Sequence, residues 1–170
     1  MEGRAVDRLQ IEDLTESAAL VAIDGEGDFT GLYEREFAGA VRLAHLLCSN
    51  QEIARDVAQD AFVALHRKWA TVENPRAYLR RSVVNGSRSW LRKRRTRDTT
   101  TLPVPDDVVQ EADELADVLA RLPHRQRAAI VLRYHHQCTH DEIAAAIGCR
   151  PGTVGSLLSR ALTRLREDLS

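Results

Sequence analysis

From Thr139 to Arg160 the chain reads Thr139-His-Asp-Glu-Ile-Ala-Ala-Ala-Ile-Gly148-Cys-Arg-Pro151-Gly-Thr-Val-Gly-Ser-Leu-Leu-Ser-Arg160, and this run constrains the fold more than any other. It spells a short helix, a tight turn and a second helix, the grammar of a helix-turn-helix. Thr139 is placed to cap the first helix, with Glu142 three residues on to close a capping box. Ile143, Ala144 and Ile147 supply its buried stripe. Gly148 stands where a helix needs a left-handed C-terminal residue, and Pro151 suits the first turn of the next helix. In that second helix Val154, Leu157 or Leu158, Ala161 and Leu165 recur at helical spacing. The opposite face carries Thr153, Ser156, Arg160 and Arg164, at i, i+3, i+7 and i+11. Short polar residues near the N-terminus, followed by arginines, suit a helix that enters a groove with its later turns beside phosphate. A helical hairpin with a solvated arginine face is the plainer reading of the same stripe.

Aromatic residues are scarce, 5% of a chain of 170 whose hydrophobic fraction is 44%. Cores must then be built from Leu, Val, Ile and Ala, which favours helix packing over sheet. A chain of this length makes one domain or two small helical ones. No apolar run is long enough to span a bilayer and the acidic N-terminus lacks a signal-peptide charge pattern, so a cytoplasmic protein without membrane insertion is expected. Cys48, Cys138 and Cys149 read as reduced thiols. A zinc site from Cys138, His140 and Cys149 with His135 or His136 would fit no common spacing, so no metal or cofactor is expected.

The net charge of −1 conceals a segregation of charge. Residues 1–36 hold ten acids against three arginines, whereas residues 66–97 hold eleven Lys and Arg residues against Glu73 alone. The basic block is a second candidate nucleic-acid surface, separate in sequence from the first.

Along the chain, a short helix is expected around Leu14–Ile23, then a turn-rich break at residues 24–28. Phe29, Tyr33, Phe37, Val41, Ala44 and Leu47 mark an amphipathic helix from Phe29 to Cys48. Ser49-Asn50 ends it and caps the next, Gln51 to about Trp69, which buries Ile53, Val57, Ala61, Leu65 and Trp69 or close neighbours. After a loop at Ala70–Asn74, Pro75 opens a third helix to about Arg94. There Leu79, Val83, Ser87 and Trp90 form an apolar stripe. Arg81, Asn85, Arg88 and Arg92, at i, i+4, i+7 and i+11, form a polar ridge fit to lie along a nucleic-acid backbone. Residues 98–107 contain two prolines, threonines and no helical period, and so mark an extended linker. A second helical domain follows, with a helix over Glu111–Leu122 and another over Pro123–His136, where Ala128, Val131 or Leu132 and Tyr134 face inward. His45, His66 and His124 read as surface or partly packed residues.

Four segments occur in order along this frame. They are Asp56-Val-Ala-Gln-Asp-Ala-Phe62, then Tyr78-Leu-Arg-Arg-Ser-Val-Val-Asn85. Leu122-Pro-His-Arg-Gln-Arg127 with Leu132-Arg-Tyr134 follows, and Asp141-Glu-Ile-Ala144 with Gly152-Thr-Val154 comes last. Together they resemble the sigma-70 family of bacterial RNA polymerase initiation factors, in its small extracytoplasmic-function (ECF) group, over about residues 29–168. The resemblance implies an all-α fold of two small domains joined by an extended linker. Residues 29–96 would be a three-helix region 2, which binds the clamp helices of core polymerase and opens the −10 element. Residues 110–170 would be a four-helix region 4, which reads the −35 element and packs on the polymerase flap.

Residues 97–109 would be the linker, with Asp106 and Asp107 either on a path toward the active-site channel or in a plain tether. Residues 1–28 would be an acidic extension. Arg76, Arg80, Arg81, Asn85, Arg88, Arg92 and Lys93 then fall to −10 DNA, and Arg150, Thr153, Ser156, Arg160 and Arg164 to −35 DNA. Asp56, Gln59 and Asp60 would face the clamp helices, or else form an ordinary solvated face. An anti-sigma factor is a further conceivable partner. The chain departs from the family at Arg150, Gly155 and Leu157, where a Ser-like cap and basic residues are common.

The competing class is a stand-alone helix-turn-helix regulator that binds operator DNA. It would need a sensor or dimerisation module, and residues 29–96 offer a basic ridge instead. No Gly-rich phosphate loop, nucleophile elbow or metal cluster stands out, so no enzyme activity and no catalytic residue are expected.

Overall fold

The computed structural model describes residues 29–98 and 113–168, all of them in helices and short connections. The expected helix at 14–23, the break at 24–28 and most of the linker, including Asp106 and Asp107, lie outside the described residues. The chain divides into two units, residues 1–35 and 36–170. Of the first, the described part is the opening turns of one helix.

Three helices come first: α1 (Phe29–Cys48), α2 (Gln51–Arg67) and α3 (Pro75–Asp98). The link from α1 to α2 is as short as Ser49-Asn50 implies. Ser49 adopts φ 55, and Asn50 caps α2 by accepting from the Ile53 N–H at 3.0 Å. Asn74 repeats the device for α3, accepting from the Ala77 N–H at 3.0 Å, and Pro75 occupies the first turn, where its missing donor costs nothing. α2 stops at Arg67, short of Trp69, and α3 runs on past Arg94. α2 buries Ala54, Val57, Ala58, Ala61, Phe62 and Leu65, so its stripe includes the neighbours of Ile53, which is itself only half-buried. Gly86 sets how closely α3 approaches α2. A Cβ at that position would stand 3.0 Å from Val57 Cγ1, tighter than packed carbons prefer.

Four helices follow: α4 (Glu114–Ala120), α5 (His124–Ile130), α6 (His140–Ile147) and α7 (Pro151–Asp168). Among the described residues, α4 begins at Glu114 rather than Glu111, because Asp113 is its cap and accepts from the Ala116 N–H at 3.2 Å. α5 passes into a π-helical turn over Val131–His135. That wider turn corrects one expectation. It rotates Tyr134 out of the inward stripe that a regular helix would have given, and the ring is 62% exposed. Val131 and Leu132 remain buried. α7 packs on α5 and α6, with Val154, Leu158 and Ala161 as its buried stripe.

The all-α fold of three and four helices is as expected, and the two sets also pack on each other. From Leu43 to Cys48 every residue of α1 is buried, as in a helix covered on more than one side. His45 is among them, at 5% exposure, so it is a packed residue and not a surface one.

Candidate nucleic-acid interface

α3 carries two polar faces with different occupations. Arg81, Asn85, Arg88 and Arg92 are all exposed, as is Lys93. Leu79, Val83, Val84 and Ser87 are buried behind them. None of these four arginine and lysine side chains has an ion-pair partner among the described residues. The result is a cationic ridge on a helix anchored by its apolar back. Arg94 stacks its guanidinium over Trp90 at 5.5 Å. Trp90 is half-buried, on the apolar stripe as read.

Arg76 and Arg80 lie on the other face and are engaged. Arg76 Nε meets Glu36 Oε1 at 2.8 Å, a largely exposed pair of small energetic value. Arg80 Nη2 donates to Glu142 Oε1 at 2.9 Å. Glu142 thereby serves two elements, because its Oε2 accepts from the Thr139 N–H at 2.8 Å while Thr139 Oγ1 accepts from the Glu142 N–H at 3.2 Å. That is the expected capping box. The Thr139 backbone bond first, and then the charge of Arg80, hold the Glu142 carboxyl below its ordinary range.

The helix-turn-helix is built as its sequence implies. Gly148 takes φ 76 and ends α6, and Arg150 is exposed in the turn. On α7, Thr153, Ser156, Arg160 and Arg164 are exposed along one side. Ser156 Oγ donates to Thr153 O at 2.9 Å. Gly155 is also exposed, and a Cβ there would meet nothing within 4 Å. On α2, Asp56, Gln59 and Asp60 are exposed, and Val63, 49% exposed, follows one helical turn later. This face is acidic with an apolar tip.

α6, the first helix of the helix-turn-helix, packs directly on α3. Arg80–Glu142 crosses that contact, and His136 lines a small cavity between α1 and α3 together with Glu36, Leu43 and Arg80. Burial lowers the His136 pKa, as do the charges of His135 and Arg80. At the other end Asp113 accepts from Arg42 and lies 3.1 Å from His45 Nε2. Desolvation pushes its carboxyl up, but the bonds from Arg42 and the Ala116 N–H outweigh this and hold it low. Ser49 Oγ donates to Ala116 O at 3.3 Å.

The deepest of these connections is Arg127, 6% exposed. Its guanidinium donates to Leu47 O of α1 and to Ala120 O and Leu122 O beside its own helix. Burial lowers its pKa, yet three carbonyls stand in for a carboxylate. Neither Arg127 nor Asp113 stands out in the sequence as a site residue. For Asp113 a usable signal was present, an Asp three residues before a small apolar residue at the head of a helix. For Arg127 the signal was weak, an arginine beside the apolar run Ala128–Leu132. Among the described residues no three His, Cys, Asp or Glu side chains cluster to hold a metal.

With this geometry in hand, comparison with known proteins is direct. Residues 32–97 match the family model "Sigma-70 region 2", and residues 112–165 match "Sigma-70, region 4". The RNA polymerase sigma-E factor of Streptomyces coelicolor is 38% identical over 139 residues, covering 76% of this chain and 78% of that protein. The ECF RNA polymerase sigma factor SigM of Mycobacterium tuberculosis is 34% identical over 168 residues, covering 90% and 84%. Among solved structures, the sigma factor RpoE in complex with the anti-sigma factor NepR from Bartonella quintana superposes with a TM-score of 0.70. It is 27% identical, over 84% of this chain and 96% of that one. CnrH in complex with the cytosolic domain of CnrY gives a TM-score of 0.68 at 26% identity, over 89% and 94%.

Proposed function

The chain belongs to the ECF group of the sigma-70 family, and from that premise we propose a division of labour among its helices in directing transcription initiation. As a sigma factor it is a regulatory subunit of RNA polymerase rather than a catalyst, and it works in the cytoplasm with the core enzyme. Residues 29–96 bind core polymerase and engage the −10 element, residues 110–170 engage the −35 element and the flap, and residues 97–109 join them. Asp56, Gln59 and Asp60 offer acceptors to basic clamp helices, with Val63 as an apolar contact beside them.

The observation that carries this reading is the exposed ridge of α3, where Arg81, Arg88, Arg92 and Lys93 have no ion-pair partner among the described residues while the back of the helix is fixed in the core. Opening a promoter requires holding a single strand, and unstacking a base costs about a few kcal/mol. A basic groove beside the melted strand offsets that cost through phosphate contacts. Arg81, Asn85, Arg88, Arg92 and Lys93 supply such a groove directly. Arg76 and Arg80 join it when Glu36 and Glu142 release them, which for Arg80 means moving α6 away from α3. On α7, Thr153 and Ser156 read base edges, and Arg150, Arg160 and Arg164 hold phosphate.

The packing of α6 on α3 makes the free chain a closed form, in which the two DNA-facing helices are not spread along a promoter. A partner that stabilises this form would act as an anti-sigma factor, the role played by the partners in RpoE–NepR. Mobility shift on promoter duplex tests the adaptor reading. At physiological salt the chain alone should bind weakly, since residues 110–170 hold eight arginines against eight acids and release few counterions. Core polymerase should confer specific binding. Nanomolar operator binding by the chain alone would favour the stand-alone regulator instead.

A further inference from the structure

Where the C-terminal half of α3 passes the segment Ala120–Arg127, a cleft of about 810 Å³ opens between them. Arg88, Arg92 and Arg95 line one wall, and Arg121, His124 and Arg127 line the other. Among the described residues that line it there is no carboxylate. Two buried polar atoms of that lining, Arg127 Nε and His124 Nε2, have no hydrogen-bond partner. Arg127 is a buried cation held by carbonyls alone, and a buried charge without a counter-ion is costly. The imidazole of His124 is held neutral for the same reason. Burial, and then the charges of Arg127 and Arg88, lower its pKa to about 4.

We infer that this cleft is a binding site for a compact polyphosphate anion, either a nucleoside polyphosphate or an inorganic chain. Arg88, Arg92, Arg121 and Arg127 line it with guanidinium groups, and the guanidinium fork matches phosphate oxygens in geometry and charge. The volume falls within the roughly 300–1,000 Å³ of small-ligand sites, more than a single phosphate fills. Leu91, Ala120 and Pro123 also line the cleft, but they stand among guanidinium groups, which linked phosphates meet at higher charge density than the spaced carboxylates of an acidic peptide. The bound anion neutralises Arg127 and gives His124 a reason to take a proton. It also bridges α3 to the α4–α5 connection, so it holds the closed form together. Since Arg88 and Arg92 belong to the ridge proposed for promoter DNA, occupancy competes with promoter opening. That consequence alone rests on the sigma-factor mechanism.

Calorimetry with the full chain and inorganic tripolyphosphate, at fixed ionic strength, tests the site. Arg92→Gln on one wall and Arg121→Gln on the other should each weaken binding about fivefold or more. The double change Arg160→Gln with Arg164→Gln, on the exposed face of α7, should leave it within about twofold. In an NMR titration, bound tripolyphosphate should raise the His124 midpoint from about 4 by about one unit or more. Nucleoside triphosphates that bind tighter than tripolyphosphate would identify the nucleotide as the ligand, and equal affinity the inorganic chain. If the α7 changes weaken binding as much as the cleft changes, or His124 does not move, the anion is merely attracted to a basic protein and the site is refuted. The binding arm needs no polymerase, so its failure leaves the sigma-factor mechanism standing, and a failure of transcription leaves the anion site standing.

Discussion

At the residue scale, Gly155 stands where the resemblance leads one to expect a basic residue. It is exposed on α7 with open space where a Cβ would stand, so nothing among the described residues requires a glycine. Gly155→Ala should raise stability by about 0.5–1 kcal/mol through helix propensity, read as an upward shift of the urea midpoint. Gly155→Lys should share that gain and also steepen the salt dependence of promoter binding by the holoenzyme by about one unit. Equal salt slopes for the two variants would show that residue 155 does not face phosphate. Weaker binding by both would show that DNA approaches this backbone too closely for a side chain. Arg127 presents the opposite case, a charge that the interior requires. Arg127→Met keeps the bulk but strands three carbonyls, each about 1–3 kcal/mol if it stays dry. Chemical denaturation should show a loss of several kcal/mol, or an early transition in which the four-helix part separates from α1. An unchanged, single transition would mean that water replaces the guanidinium at no cost.

At the scale of elements, α3 shows both how far the sequence was legible and where it was not. Its start at Pro75, its apolar stripe and its basic ridge all follow from spacing, as do the bounds of α1 and the caps and turn of the helix-turn-helix. These are local properties, set within one or two turns of chain. Arg80, which the resemblance assigns to −10 DNA, does not stand on the ridge. Its helical position groups it instead with Val84 and Ser87, at i+4 and i+7, and that is the buried side, where Glu142 meets it. The wheel held the signal, and the charge run obscured it. Tyr134 was misplaced because a π turn changes the helical period, and no residue type announces one. The packing of α6 on α3 had no sequence signal at all. It brings Arg80 to Glu142, 62 positions away, while Asp113 and Arg127 find partners on α1 68 to 80 positions away. For the ridge itself, replacing Arg81, Arg88 and Arg92 together by Ala should leave assembly with core polymerase intact. It should cut open-complex formation, followed by permanganate reactivity of unpaired thymines. Full opening by that variant would reduce the ridge to a solvated face.

At the scale of the whole molecule, the described helices of residues 36–168 make one body in which α3 and α6 cover each other, and the proposed function calls for them to part. Acid should weaken this body. His124 has its pKa lowered to about 4 when folded, so the unfolded chain takes up its proton first as pH falls. The stability that the neutral imidazole contributes is therefore full above about pH 6.5. It is lost progressively down to about pH 4, by at most about 3 kcal/mol. His136 acts in the same direction. The denaturation midpoint should fall between pH 7 and pH 5, and His124→Gln should flatten that dependence. An equally steep fall in the variant would assign the effect to other groups.

No helix among the described residues is long and apolar enough to cross a membrane, and the exposed faces of α2, α3 and α7 are those proposed to meet core polymerase and promoter DNA. The most direct measurement is run-off transcription with purified core polymerase, the chain and a library of promoter fragments. Expected are transcripts that appear only when the chain is added, that start downstream of a shared pair of spaced elements, and that vanish with the Arg81, Arg88 and Arg92 triple variant. No chain-dependent transcript from any fragment, together with tight duplex binding by the chain alone, would contradict the assignment as an initiation factor.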